Sequence, residues 1–223
     1  MSTSARWTIV ALVALVGVVV ALLTTLGGSG DEPAPGATGT TTAPPVGAPP
    51  ADEPHSQVEP EARAAAGLPA CRDRAAAATT EGPLAGFMVR CMDDGTTTML
   101  GKIQAGRPML VNLWAYWCEP CRRELPAIQA AQARLGDRVR VVLSHTDPSE
   151  PKGLDTLSAL GVSDLISVSD QDEELPVLLG APPVLPLTVL VRADGSVARV
   201  LVEPMETEQE VIDAVAEHLG VTA

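Results

Sequence analysis

Residues 111–126, VNLWAYWCEPCRRELP, hold two cysteines, Cys118 and Cys121, separated by two residues. What precedes and follows them decides how they are read. The run MLVNLWA (109–115) is continuously apolar and of strand length. The run RRELPAIQAAQARLG has helical spacing, with Leu125, Ile128, Ala131 and Leu135 on one face and Gly136 as a stop. Cys118 is therefore expected just after a buried strand, at the start of a helix. Helix N-termini present free N–H groups and the positive end of the dipole, and both stabilise a thiolate. The thiolate is the attacking species in disulfide exchange. Cys121, in the first turn of the same helix, can close back onto Cys118. Pro120 lacks an N–H, which costs little at that position.

Three uses compete for such a pair. A structural zinc site takes four ligands, often as two C-x-x-C pairs. The remaining cysteines, Cys71 and Cys91, are 20 apart and make no second C-x-x-C, and His145 is the only reasonable third ligand. A purely structural disulfide across so short a loop adds little chain-entropy stabilisation. The favoured reading is a pair that cycles between dithiol and disulfide.

Outward from the pair, the pattern gives an α/β domain. GFMVRCM, the turn Asp94-Gly95 and TTTML read as a hairpin over residues 86–100. RVRVVLS (138–144) reads as a strand, residues 149–161 as a helix closed by Gly161, DLISVSD as a short strand and EELPVLLG as a short helix. LTVLVRADGSVARVLVE (187–203) is a hairpin turning at Asp194-Gly195. Residues 206–220 form an amphipathic helix with Thr207 as N-cap and Gly220 as terminator. A βαβ unit followed by a ββα unit predicts a mixed central sheet flanked by helices.

The N-terminal part is different. Residues 7–26 carry no charge and are long enough to span a bilayer as a helix. Arg6 precedes them and Asp31 and Glu32 follow, so the expected orientation leaves residues 1–6 in the cytoplasm and the rest outside. The run exceeds a usual signal-peptide core and ends without a good cleavage site, which favours an uncleaved anchor in the cell membrane. Residues 27–66 are rich in Pro, Gly, Ala and Thr and are expected to form a disordered tether. Residues 67–223 are long enough for one domain with a substantial core. The net charge of −13 argues against a nucleic-acid partner.

The segment VNLWAYWCEPCRRELP resembles the active-site segment of membrane-anchored, extracytoplasmic thioredoxin-like proteins of the TlpA/ResA type, which carry W-C-x-P-C after a V-N-x-W-A strand. The resemblance covers roughly residues 84–220. Pro126 matches the proline inside the active-site helix of thioredoxins, and VLPLTVLVRADG resembles the segment that carries the family's cis-proline, assigned to Pro186. The early hairpin and an insertion around residues 149–179 also suit this branch.

The resemblance implies a thioredoxin-like fold and a thiol–disulfide oxidoreductase with protein thiols and disulfides as substrates and no metal or other cofactor. It makes Cys118 the exposed nucleophile and Cys121 the resolving thiol. Trp117 shields the pair and, with Glu119 and Pro120, shapes the substrate surface. Asn112 occupies the position of thioredoxin's buried Asp, and Glu124 supplies the acid of the ResA-like branch, against the plain reading of a solvated first-turn carboxylate. Trp114 reads as core. The family also implies a membrane thiol transporter of the CcdA type as electron donor, and apocytochrome c as one candidate substrate. Glu119 beside Cys118 opposes thiolate formation, so the expected direction is reducing, with an oxidant or isomerase as alternative and a metal chaperone using Cys118, Cys121 and His145 behind it. An even cysteine count outside the membrane favours a structural Cys71–Cys91 disulfide, against a second redox relay.

Overall fold

The computed structural model describes residues 58–71, 78 and 81–223. The chain divides into two units, 1–43 and 44–223, and all described residues belong to the second. The expected cytoplasmic residues 1–6, the span 7–26 and most of the tether lie outside the described residues. Among the described residues, no helix is long and apolar enough to cross a membrane.

The element order is α1 (Pro60–Ala66), β1 (Met88–Cys91), β2 (Thr97–Met99), α2 (Leu100–Gln104), β3 (Met109–Trp114), α3 (Glu119–Leu135), a 3-10 turn (Gly136–Arg138), β4 (Arg140–His145), α4 (Glu150–Leu160), β5 (Ile166–Ser169), α5 (Glu174–Leu178), β6 (Leu187–Val191), β7 (Val197–Leu201) and α6 (Glu208–Leu219). Among the described residues, seven strands form one mixed sheet in the order β2-β1-β5-β4-β3-β6-β7. β3, β4 and β5 run parallel, and the two hairpins add antiparallel strands at either side. This is the expected α/β architecture with its added N-terminal hairpin, and the inserted residues 149–179 supply α4, β5 and α5.

β3 is buried on both faces, which is why its sequence runs apolar without alternation. Met109, Val111 and Leu113 enter one core together with Leu84, Leu100, Ile103 and Leu175. Leu110 and Trp114 enter the other, under Leu125 and Ile128 of α3, Leu157 of α4 and Val211 of α6. Asn112 shares that second face by alternation. The strand thus carries one polar side chain into the layer beneath α3. Trp114 is core, as expected.

Two elements were not anticipated. Residues 60–66, expected in the disordered tether, form helix α1, which packs against α4. The cause is one side chain. Buried Arg63 donates to both oxygens of buried Glu150, at 2.6 and 3.0 Å, and to the Cys91 and Met92 carbonyls. A tether boundary at residue 66 is therefore too late. The second is α2, which begins where the early hairpin was expected to end, at Leu100.

Candidate active site

Cys118 is the N-cap of α3, and Cys121 lies in its first turn. The two are joined by a disulfide with a Cα–Cα distance of 5.3 Å. The Cys121 backbone N–H donates to the Cys118 sulfur at 3.3 Å, so a free helix-end donor already points at it. Pro120 sits in the first turn, and Pro126 lies inside a helix that continues past it. The Leu185–Pro186 peptide is cis, as the resemblance implied.

The expected exposed nucleophile is instead 2% exposed. Cys118 lies in the wall of a groove of about 680 Å³, with Trp117, Pro120 and Leu185 beside it and its second sulfur neighbour, Cys121, beneath. Access to the sulfur is through that groove. Trp117 is held over the site by a hydrogen bond from its indole N–H to Asp147, at 2.8 Å. Asp147 also accepts the Ser149 N–H at 2.7 Å, at the start of α4.

Glu124 lies three residues after Cys121, on the same buried face of α3. It is fully buried rather than a solvated first-turn acid. Asn112 donates to it at 2.7 Å and to the Thr188 hydroxyl at 3.0 Å, and the Met205 N–H donates to its second oxygen at 3.1 Å. Burial raises its pKa to about 7, the two hydrogen bonds oppose the rise, and Glu206 adds to it. A carboxyl poised there exchanges protons near neutral pH.

Arg122 and Arg123, expected to act against Glu119 from later in the helix, reach it. Its exposed carboxylate lies 3.6 Å from Arg122 and 3.7 Å from Arg123, so cations of the same helix offset its field at Cys118. His145 does not gather with the two active-site sulfurs. Its ring packs edge-on against Trp114, Gly153 lies directly against it, and burial lowers its pKa to about 3. Among the described residues, the one grouping of three ligand-type side chains is Cys71, Cys91 and Asp93. Its two sulfurs are bonded to each other in the expected Cys71–Cys91 disulfide.

The motif did not disclose Asp147, Thr188 or the Met205 N–H. Asp147 had a legible signal, since an Asp two residues before a helix that opens on Ser-Glu-Pro is a capping pattern. The backbone donor at Met205 had none.

The chain belongs to the Redoxin family, whose model matches residues 65–217. A thiol:disulfide interchange protein DsbE of Allochromatium vinosum is 28% identical over 144 residues, covering 62% of this chain and 76% of that protein. The thioredoxin-like protein slr1139 of Synechocystis is 46% identical over 43 residues, covering 19% of this chain and 39% of the relative, well under half its length. Among solved structures, MTB dsbF superposes with a TM-score of 0.54 at 21% identity, over 60% of this chain and 96% of that one. A thiol:disulfide interchange protein of the thioredoxin family from Chlorobium tepidum gives 0.53 at 23% identity, over 66% of this chain and all of that one. The fold is thioredoxin-like.

Proposed function

We propose that this Redoxin-family chain is a membrane-tethered, extracytoplasmic thiol–disulfide oxidoreductase that reduces protein disulfides through Cys118 and Cys121. The observation that carries the proposal is a dithiol pair at the N-terminus of α3, one sulfur in a groove wall, with the buried acid Glu124 one turn behind it. The DsbE relative supports the reaction type.

The reaction starts from the reduced pair. The Cys118 thiolate attacks a client disulfide, the client S–S bond breaks, and the departing client thiolate takes a proton. The Cys118 sulfur is now in a mixed disulfide. Cys121 gives its proton to ionised Glu124 and attacks the Cys118 sulfur. The second client thiolate leaves, and the pair ends as the Cys118–Cys121 disulfide. Two electrons have passed to the client. Glu124, with a pKa of about 7, accepts that proton at neutral pH and returns it when the pair is reduced again.

The reducing direction rests on Glu124 more than on Glu119, whose charge the neighbouring arginines offset. A buried carboxylate close to the pair opposes thiolate formation, and a thiol kept protonated weakens the drive to act as an oxidant. Re-reduction by a membrane thiol transporter of the CcdA type, and apocytochrome c as a client, belong to the same proposal and come from the resemblance. The tether is supported by the uncharged run 7–26 and by two disulfides in one domain.

The test is a trap. In Cys121→Ser the mixed disulfide has no resolving thiol, so clients accumulate on Cys118 in membranes. No accumulation overturns the exchange mechanism. A reduction potential near the thioredoxin value of about −270 mV supports reduction, and one above about −180 mV makes the protein an oxidant or isomerase.

A further inference from the structure

We propose that the clients of this site are polypeptide disulfides whose cysteine is flanked by an apolar and a cationic side chain, selected by Val177, Val184 and Glu173. This rests on Cys118 being the exchanging sulfur. The selecting residues belong to α5, the turn before it and the loop that leads to β6, not to the C-x-x-C motif.

Continuity with the reactive sulfur is the first argument. The groove that holds Cys118 is lined by Trp117 and Leu185 and by Pro176, Val177 and Val184. At about 680 Å³ it takes a few side chains of a partner, not a whole element. Val177 is 80% and Val184 46% exposed, so two apolar side chains of the same groove stand in water. Apolar surface concentrated at such a place marks a binding surface.

Charge is the second. Glu173 lines the same groove, and among the described residues its carboxylate has no hydrogen bond or ion pair. Asp147 and Asp170 both act on it with like charge. Neither is free to turn away: Asp147 holds Trp117 and Ser149, and Asp170 accepts the N–H groups of Glu174 and Leu175 that open α5. A cationic side chain arriving there meets the Glu173 carboxylate, with the buried Asp147 and Asp170 adding like charge behind it, while an acidic one is repelled. A second copy of this chain seated the same way would bring one Glu173 toward another.

The experiment uses the reduced full-length chain and three short peptides, each with one cysteine as a mixed disulfide with 2-mercaptoethanol: Leu-Cys-Lys, Ser-Cys-Lys and Leu-Cys-Glu. Hydroxyethyl disulfide reports whether Cys118 exchanges at all. The Leu-Cys-Lys probe should react roughly tenfold faster than Ser-Cys-Lys, as one apolar contact in a pocket allows. It should react about threefold faster than Leu-Cys-Glu, the scale of an exposed ion pair. Within Val177→Ser the first ratio should fall toward one, and within Glu173→Gln the second. Equal peptide rates alongside normal reaction with hydroxyethyl disulfide overturn the inference and leave the exchange reading standing. A preference for Glu over Lys also overturns it. Rates that drop as protein concentration rises would put a second copy in the groove and overturn it. Failure of hydroxyethyl disulfide to react overturns both readings.

Discussion

The two disulfides of the described domain are alike by simple measures. Their Cα–Cα distances are 5.5 and 5.3 Å, and all four cysteines are buried. They differ in what surrounds them. Cys71–Cys91 sits in the core beside β1, closes a loop of 20 residues and lies beneath Arg63, which binds the Cys91 carbonyl. Cys118–Cys121 closes three residues at a helix N-terminus and forms part of a groove. Burial does not separate a staple from a reagent. What distinguishes the pair proposed to react is a groove on one side, a helix end behind the sulfur and a buried carboxyl one turn away.

The comparison breaks first at Cys118. Cys118→Ser should abolish reduction of insulin disulfides, whereas a Cys71→Ser/Cys91→Ser double variant should keep its rate per folded molecule. If the double variant is inactive while folded, the second pair is a relay. The next effect is on stability. Arg63→Met strands the buried Glu150 carboxylate, and breaking one side of a buried pair costs about 3–5 kcal/mol. Chemical denaturation should show it, and a shift below about 1 kcal/mol would mean α1 does not hold the domain together. The Cys71→Ser/Cys91→Ser variant should lose roughly 3 kcal/mol by the loop-entropy argument.

Smaller effects follow pH. Glu124 holds its proton more tightly folded than unfolded, from about 4.5 unfolded to about 7 folded. Its contribution is therefore fully favourable below about pH 4.5 and declines as pH rises to about 7, by about 3 kcal/mol at most. Glu124→Gln should flatten that limb of the stability profile and remove an ionisation near pH 7 from the rate of mixed-disulfide resolution. An unchanged profile would remove Glu124 from the mechanism. His145 has the opposite sign. It is neutral when folded, so stability falls as pH drops from about 6.5 toward about 3. The smallest change is expected for Asp147→Asn, which weakens the hold on Trp117. Trp117 emission should shift and exchange slow several-fold with little change in folding stability.

Much of this was legible in the chain. Strand, helix and cap signals near the motif are local, and they placed β3, α3, α6 and both hairpins within a few residues. Thr207 even forms the capping box that its position suggested, with Glu210. Glu124 was legible as the site's acid only through the resemblance, by its place three residues after Cys121; its contact with Asn112 was not. Three features were hidden, each for a physical reason. Helix α1 is held by the Arg63–Glu150 pair, 87 residues apart in the chain, although Pro60 at its start and Gly67 at its end were a readable frame. Cys118 shares its groove with Leu185, which a distant loop brings in. The groove is built by α5 and the loop after it, whose apolar residues have no periodicity that distinguishes a rim from a core.

The account stands on one claim, that a single disulfide of the two cycles. Mass spectrometry of the full-length chain after graded mild reduction and alkylation tests it most directly. Label should appear on Cys118 and Cys121 while Cys71 and Cys91 remain joined, and the second pair should open only on denaturation. Early label on Cys71 or Cys91, or equal opening of both pairs, would contradict it.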